Sequence, residues 1–289
     1  MHVFLNGRII PADQAMVSVF DGGFLHGEGV YTTLRLYGGR PADLAAHWDR
    51  LVRHAQALEL DPGLDQDRLG AIIADLARAN GLTGTDGRLR ITVSRGGDAA
   101  HPVPLTDPAA VPPSVVITLV AVAPEIELWQ RDGIAAVVLG PAYARSHFPE
   151  LKTLNGLTTI LAQRQAARLG CQEAILTARG GRLLEGAVSN LFLVRQGNVL
   201  TPGAEGHFLP GRTREHIMAI AAGLGLPLRE TTLRVTDLAD AEEVFVASSV
   251  REVLPVVAVD RNPVGTGRPG RVTRSIQAAY RPAFLAGLS

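Results

Sequence analysis

Two α/β domains are predicted, on three observations. Short β-rich runs alternate with stretches whose apolar residues recur at helical spacing, a mixture that neither an all-helical nor an all-strand chain produces. The 289 residues, 46% hydrophobic and 19% charged, are enough for two packed cores. The pattern also breaks once, around Ala123 to Asp132, before a second series begins at Ile134. The expected organisation is a smaller N-terminal α/β domain over 1–122, a linker over 123–133 and a larger C-terminal α/β domain over 134–289.

Val3 to Leu5 and Arg8 to Ile10 flank Asn6-Gly7, a two-residue hairpin turn. Glycine-rich Asp21 to Gly29 leads into Val30 to Tyr37, alternating and rich in β-formers, which reads as a strand closed by Gly38-Gly39. Asp43 is placed to cap a helix with Leu44, His47, Leu51, Ala55 and Leu58 at helical spacing, and a second helix runs near Asp65 to Asn80. Arg88 to Val93 and Val115 to Val122 read as strands. The proline- and glycine-rich stretch 96–113 between them reads as a loop suited to act as a lid. In the second half, Leu154 to Leu169 reads as a helix ended by Gly170, and Glu173 to Thr177 as a strand before a Gly180-Gly181 turn. Strands follow near Leu183, Asn190 to Arg195 and Val199-Leu200. Pro210-Gly211 then opens a helix over Thr213 to Leu224. A strand at Glu243 to Ala247, a turn at Asp260 to Asn262 and a helix from Thr273 complete the pattern.

Composition removes several functions. Basic and acidic residues balance at 28 each, so no net field favours nucleic acid or an anionic membrane. Cys171 is the sole cysteine, which excludes an internal disulfide and a multi-cysteine metal site and fits a cytoplasmic setting. No metal site is expected. The first residues lack a long apolar core and Val115 to Ala123 is too short to span a bilayer, so neither export nor membrane insertion is expected.

Of the 28 basic residues only Lys152 is a lysine. Arginine replaces lysine in most surface roles, but its guanidinium cannot become the neutral amine that attacks a carbonyl carbon. An imine-forming lysine needs a carbonyl partner, and pyridoxal phosphate supplies one, together with a ring nitrogen that needs an acid and a phosphate that needs an anion seat. Glu185, in Leu184-Glu185-Gly186-Ala187-Val188-Ser189-Asn190, is a candidate for the acid. Leu209-Pro210-Gly211-Arg212-Thr213-Arg214 enters a helix, whose first N–H groups and dipole attract an anion. Ser248 and Ser249 add hydroxyl donors and Arg50 adds charge. Taken singly, each of these is equally an ordinary cap or solvated residue.

Together and in this order, the segments Asp21 to Arg35, His47 to Leu51, Lys152 to Asn155, Glu185 to Phe192, Leu209 to Arg214, Glu243 to Ser249 and Gly265 to Thr273 resemble the class IV aminotransferases, the fold-type IV pyridoxal phosphate enzymes. The resemblance implies a two-domain fold with the cofactor at the domain interface, in a homodimer. It implies that Lys152 bonds the cofactor and moves the Cα proton, and that Glu185 pairs with the ring nitrogen. Arg50, the Arg212 and Thr213 amides, Ser248 and Ser249 would hold the phosphate, and Tyr31 would line the substrate side. Ping-pong amino transfer between an amino acid and a 2-keto acid is the implied reaction.

Within the family, the branched-chain branch usually carries a tyrosine five residues past its lysine, where this chain has Leu157. Lys152 to Asn155, Gly170 to Leu176 and Tyr31 look more like the D-amino-acid transaminases. Those enzymes trap the substrate carboxylate with an arginine and a histidine in the loop after Ser94-Arg95-Gly96. Here the loop reads Gly97-Asp98-Ala99-Ala100-His101, leaving Arg88, Arg90 or Arg35 for that task. Thr33 and Arg35 also resemble the aminodeoxychorismate lyase pattern, which would release pyruvate and aminobenzoate. A branched-chain L-amino-acid transaminase, an R-selective amine transaminase and a pyridoxal phosphate carrier without turnover are the other readings. A dinucleotide site at Gly22 to Gly29 is disfavoured because those glycines lead into a strand rather than open a helix.

Overall fold

The computed structural model describes residues 1–99, 111–144, 148–203 and 208–285, so the proposed lid, centred on 100–110, lies outside the described residues. The chain forms two compact units. One comprises Met1–Val122 together with Leu151–Asn155; the other comprises Ala123–Glu150 and residues from Gly156 onward.

In the first unit, β1 (His2–Leu5) and β2 (Arg8–Pro11) form the expected hairpin, with Asn6 at φ 46° and Gly7 at φ 90° in the turn. The glycine-rich stretch is not a plain lead-in to a strand. Asp21 caps a short helix α1 (Gly22–His26) by accepting from the Gly23 N–H, and left-handed Gly27 ends it. Next come β3 (Gly29–Tyr37), β4 (Arg40–Pro41), α2 (Leu44–Gln56), α3 (Gln66–Ala79), β5 (Gly87–Ser94) and β6 (Ser114–Ala121). Asp65 caps α3 through the Arg68 N–H, whereas Asp43, before α2, sits at φ 53° without a side-chain cap bond. The antiparallel sheet runs β2-β1-β6-β5-β3-β4. Its period of two puts Val30, Leu34, Leu36, Leu89, Ile91, Val93, Ile117 and Leu119 into one core with Trp48 and Leu51 of α2 and Leu69, Ile73 and Leu76 of α3. The other face carries Tyr31, Thr33 and Arg35 opposite Thr92, Arg90 and Arg88.

The second unit begins with a correction. The expected linker 123–133 is mostly a helix, α4 (Glu125–Asp132), which buries only Ile126. It is followed by β7 (Ile134–Leu139), α5 (Leu157–Arg168), β8 (Glu173–Thr177), β9 (Leu183–Gly186), β10 (Asn190–Arg195) and β11 (Asn198–Pro202). After them come α6 (Arg212–Gly223), β12 (Leu228–Thr231), β13 (Glu243–Ser248), β14 (Glu252–Val259), β15 (Asn262–Pro263) and α7 (Arg271–Leu285). The helix expected from Leu154 starts at Leu157, because 151–155 belongs to the first unit instead of to the C-terminal domain. A mixed sheet runs β12-β11-β10-β13-β14-β7-β8-β9, with β15 on β14. Both faces are covered: Leu191, Leu193, Val244 and Val246 pack on one side, while Phe192 stacks on Phe245 at 4.7 Å on the other, with Ile217 of α6 and Ile276 and Tyr280 of α7. No described helix is long and apolar enough to cross a membrane.

Candidate active site

Lys152 is fixed by its main chain before its side chain is considered. Thr153 bridges to Val30 at the start of β3, the Tyr31 N–H donates to the Lys152 carbonyl at 3.0 Å, and the Leu154 N–H donates to the Gly29 carbonyl at 2.9 Å. The glycines of 22–29 make this approach possible. A Cβ on Gly29 would lie 2.5 Å from the Val93 carbonyl oxygen and 2.7 Å from Leu154 Cδ1, and one on Gly27 would lie 2.5 Å from Asn155 Oδ1. The Lys152 N–H reaches α2, donating to His54 Nδ1 at 3.1 Å.

The half-buried Lys152 carries its Nζ 4.6 Å from the Tyr31 ring centroid, and the Arg90 guanidinium lies 3.7 Å from the same centroid. Arg90 Nε donates to Thr92 Oγ1 at 3.1 Å. Burial pulls Arg90 below the ordinary arginine value, opposed by Tyr31 and reinforced by Arg88. On the core side of β3, Thr32 Oγ1 lies 2.8 Å from His47 Nδ1 and accepts from Arg50 at 3.3 Å. One helical turn past Arg50 stands His54, whose pKa is lowered to about 4 by burial and by Arg50, Arg53 and Lys152.

The remaining predicted residues of this unit divide. Thr33 is half-buried beside Arg90 across the strands, and Arg88 is exposed. Arg35 is buried, its guanidinium paired with Asp86 at 2.8 Å and 5.3 Å from the Tyr37 ring, so it ties the far end of β3 to the turn before β5.

In the second unit, Glu185 is 4% exposed on β9, far more buried than a solvated turn acid. The N-terminus of α6 has Gly211 as its cap residue and no side-chain cap bond. A Cβ on Gly211 would lie 2.1 Å from Asn190 Oδ1, while Asn190 Nδ2 donates to the Leu209 carbonyl at 3.0 Å. The approach to α6 is therefore shaped for backbone alone. Tyr280 donates to Thr213 Oγ1 and Thr213 to Ser249 Oγ, each at 3.4 Å, so a chain of hydroxyls runs beside that helix start. Ser248 is half-buried at the end of β13, and the Arg212 guanidinium pairs with Glu215.

Two residues escaped the sequence reading. His54 falls at the same helical spacing as His47 and Arg50, a signal that was available. Glu173, fully buried, accepts from Gln163 at 2.5 Å, from the Ala174 N–H at 2.9 Å and from Ser189 at 2.8 Å, and pairs with Arg251. Its partners are scattered from 163 to 251, which no local pattern reveals. Among the described residues no cluster of His, Cys, Asp and Glu could hold a metal ion.

The sole lysine amine in the first unit, and in the second a buried carboxylate and an uncapped helix start lined by hydroxyls, are each of the kind needed by a cofactor with a carbonyl, a basic ring nitrogen and a phosphate. Comparison with known proteins agrees. The pattern of the family described as Amino-transferase class IV matches residues 29–259. The D-alanine aminotransferase of Staphylococcus haemolyticus is 32% identical over 283 residues, 96% of each chain. A putative branched-chain-amino-acid aminotransferase of Methanocaldococcus jannaschii is 30% identical over 286 residues, 97% of this chain and 96% of that one. Among solved structures, the branched-chain amino acid aminotransferase of Escherichia coli superposes with a TM-score of 0.85 at 30% identity, covering 98% of this chain and 94% of that chain. The chain belongs to the class IV aminotransferase family. It is an enzyme, an aminotransferase of the two-domain α+β type IV fold, and the cofactor of this family is pyridoxal phosphate.

Proposed function

We propose that this enzyme moves an amino group from a D-amino acid to a 2-keto acid such as pyruvate or 2-oxoglutarate, and that Arg90 receives the substrate carboxylate. The observation that carries this reading is the stack on Tyr31, which brings a guanidinium and the amine of Lys152 to one aromatic ring. Arg35, engaged with Asp86, and exposed Arg88 are poorer carboxylate partners. Relatives named as D-alanine aminotransferases add support.

When bound, pyridoxal phosphate supplies an aldehyde carbon that takes the amino group and an electron-poor ring that takes up the Cα electron pair. Lys152 would hold the cofactor, and its neutral amine, when free, would accept the Cα proton and deliver it to the cofactor's former aldehyde carbon. Glu185 holds a proton at the ring nitrogen. Arg50, the Arg212 and Thr213 amides and the Ser248 and Ser249 hydroxyls bind the phosphate, while Tyr31 and Thr33 border the substrate. The catalyst returns to its starting form only after a second keto acid enters, so kinetics are ping-pong. We further infer a cytoplasmic homodimer. Support comes from the sole cysteine and from the exposed apolar run Met16, Val17, Val19, Phe20, Phe24 and Leu25, a surface that a second copy would cover.

A second reading, a branched-chain L-amino-acid transaminase, is favoured by relatives so named. A panel of D- and L-amino acids, R-phenylethylamine and aminodeoxychorismate, followed through cofactor absorbance, separates the readings. D-alanine should outpace L-valine and L-leucine; the reverse order overturns the D-preference. Pyruvate and aminobenzoate formed without an amino acceptor would make this chain the lyase. Arg90→Ala removes one charge-assisted pair, about 1.5–3 kcal/mol, and should lower kcat/KM by about ten- to a hundred-fold, whereas Arg88→Ala should change it little. Borohydride reduction and peptide mapping should mark Lys152 alone.

A further inference from the structure

We propose that His54 is a positioning residue for Lys152, its unprotonated Nδ1 accepting the lysine backbone N–H and so fixing the root of the reactive side chain. The inference rests on Lys152 being the reactive amine, as proposed above. The backbone carbonyl of Lys152 is held by the Tyr31 N–H, and its neighbours Thr153 and Leu154 join β3. The Lys152 N–H goes instead to the imidazole, 98 positions away in sequence, on a helix packed against the opposite face of the sheet. Both polar groups flanking the lysine Cα are thereby fixed, one by a strand and one by a helix.

The hydrogen bond requires a neutral ring, because an imidazolium has a proton on each nitrogen and cannot accept. The surroundings enforce that state. Partial burial disfavours a positive charge, and Arg50 and Arg53 on the same helix and Lys152 across from it repel one, which lowers the pKa to about 4. His54 thus stays neutral at ordinary pH, with its one ring proton on Nε2 and its Nδ1 occupied as an acceptor. Its contribution is to hold the stem of a four-carbon side chain whose tip must meet a Cα proton, and a misplacement of about 1 Å costs on the order of a hundred-fold in rate.

The single lysine makes a direct test possible, since protein labelled with 15N-lysine has one lysine backbone amide signal. In the full-length, cofactor-loaded protein, His54→Ala should accelerate hydrogen exchange at that amide by about ten-fold or more and slow the half-reaction with the amino donor by about ten- to a hundred-fold. His54→Asn, whose side-chain oxygen sits near the Nδ1 position, should recover most of both. Wild-type protein labelled with 15N in lysine and histidine should show scalar coupling across the N–H···N bond, a readout that needs no variant to fold. Absence of that coupling, unchanged exchange in His54→Ala, or an Asn variant no better than Ala would overturn the proposal. Failure of borohydride to mark Lys152 would instead remove the assignment of Lys152 while leaving the amide measurement intact.

Discussion

At the scale of single residues, the proposed chemistry rests mainly on three positions, and they differ in how visible they are. Lys152 stands out by arithmetic, because it is the only lysine. Glu185 stands out through its motif, and its 4% exposure is the physical addition that structure makes. At that depth a carboxylate suits the role proposed for it, holding a proton at the cofactor's ring nitrogen. Glu185→Gln should leave cofactor affinity within a few-fold while slowing Cα deprotonation far more, because phosphate contacts persist and the charge does not. Stopped-flow half-reactions beside cofactor titration would check this; equal losses in both would make Glu185 a structural residue. The proposed carboxylate partner is legible in sequence only as a choice among Arg35, Arg88 and Arg90. All three sit on the same face of paired strands, and only packing separates one bound to Asp86, one in solvent and one on Tyr31.

At the scale of elements, the glycines of 22–29 make a surface without side chains on which the Lys152 segment rests. Gly29→Ala puts a methyl against Leu154 Cδ1 and against the Val93 carbonyl and Ser94 Cα, backbone atoms that cannot rotate out of the way, and overpacking of this kind costs about 1–3 kcal/mol. The variant should lose several degrees in Tm and bind cofactor less completely; a normal Tm with normal absorbance would show that the approach is looser than it looks. Most strands and helices were readable from period and turn chemistry. Those missed have identifiable reasons. β14 contains Pro255, which argues against a strand in sequence, yet that residue pairs with Phe245 inside the sheet. α4 buries a single residue, so its amphipathic signal is faint. The five residues 151–155 are too few for any period, and their pairing partner lies about 120 positions earlier, beyond what local pattern reading reaches.

For the molecule as a whole, the acid side of the stability profile should carry the mark of His54. Its folded pKa of about 4 lies below its ordinary value of 6.5, so the unfolded chain binds more protons between those limits. That contribution to stability is complete above pH 6.5 and is lost progressively as pH falls to 4. Urea midpoints measured at pH 7 and pH 4.5 should therefore differ more in wild type than in His54→Asn, and an equal difference would mean the ring is not held neutral. The split into two units also has a consequence for synthesis. The ribosome finishes 1–122 well before it emits 151–155, so until then the first unit exists with the Gly29 carbonyl and the Tyr31 N–H of β3 open, an edge ready to pair with another chain. A gene cut at residue 122 would make that interval permanent: its product would lack both Lys152 and the segment that shields β3, and a short peptide spanning 151–155, supplied separately, is the natural patch.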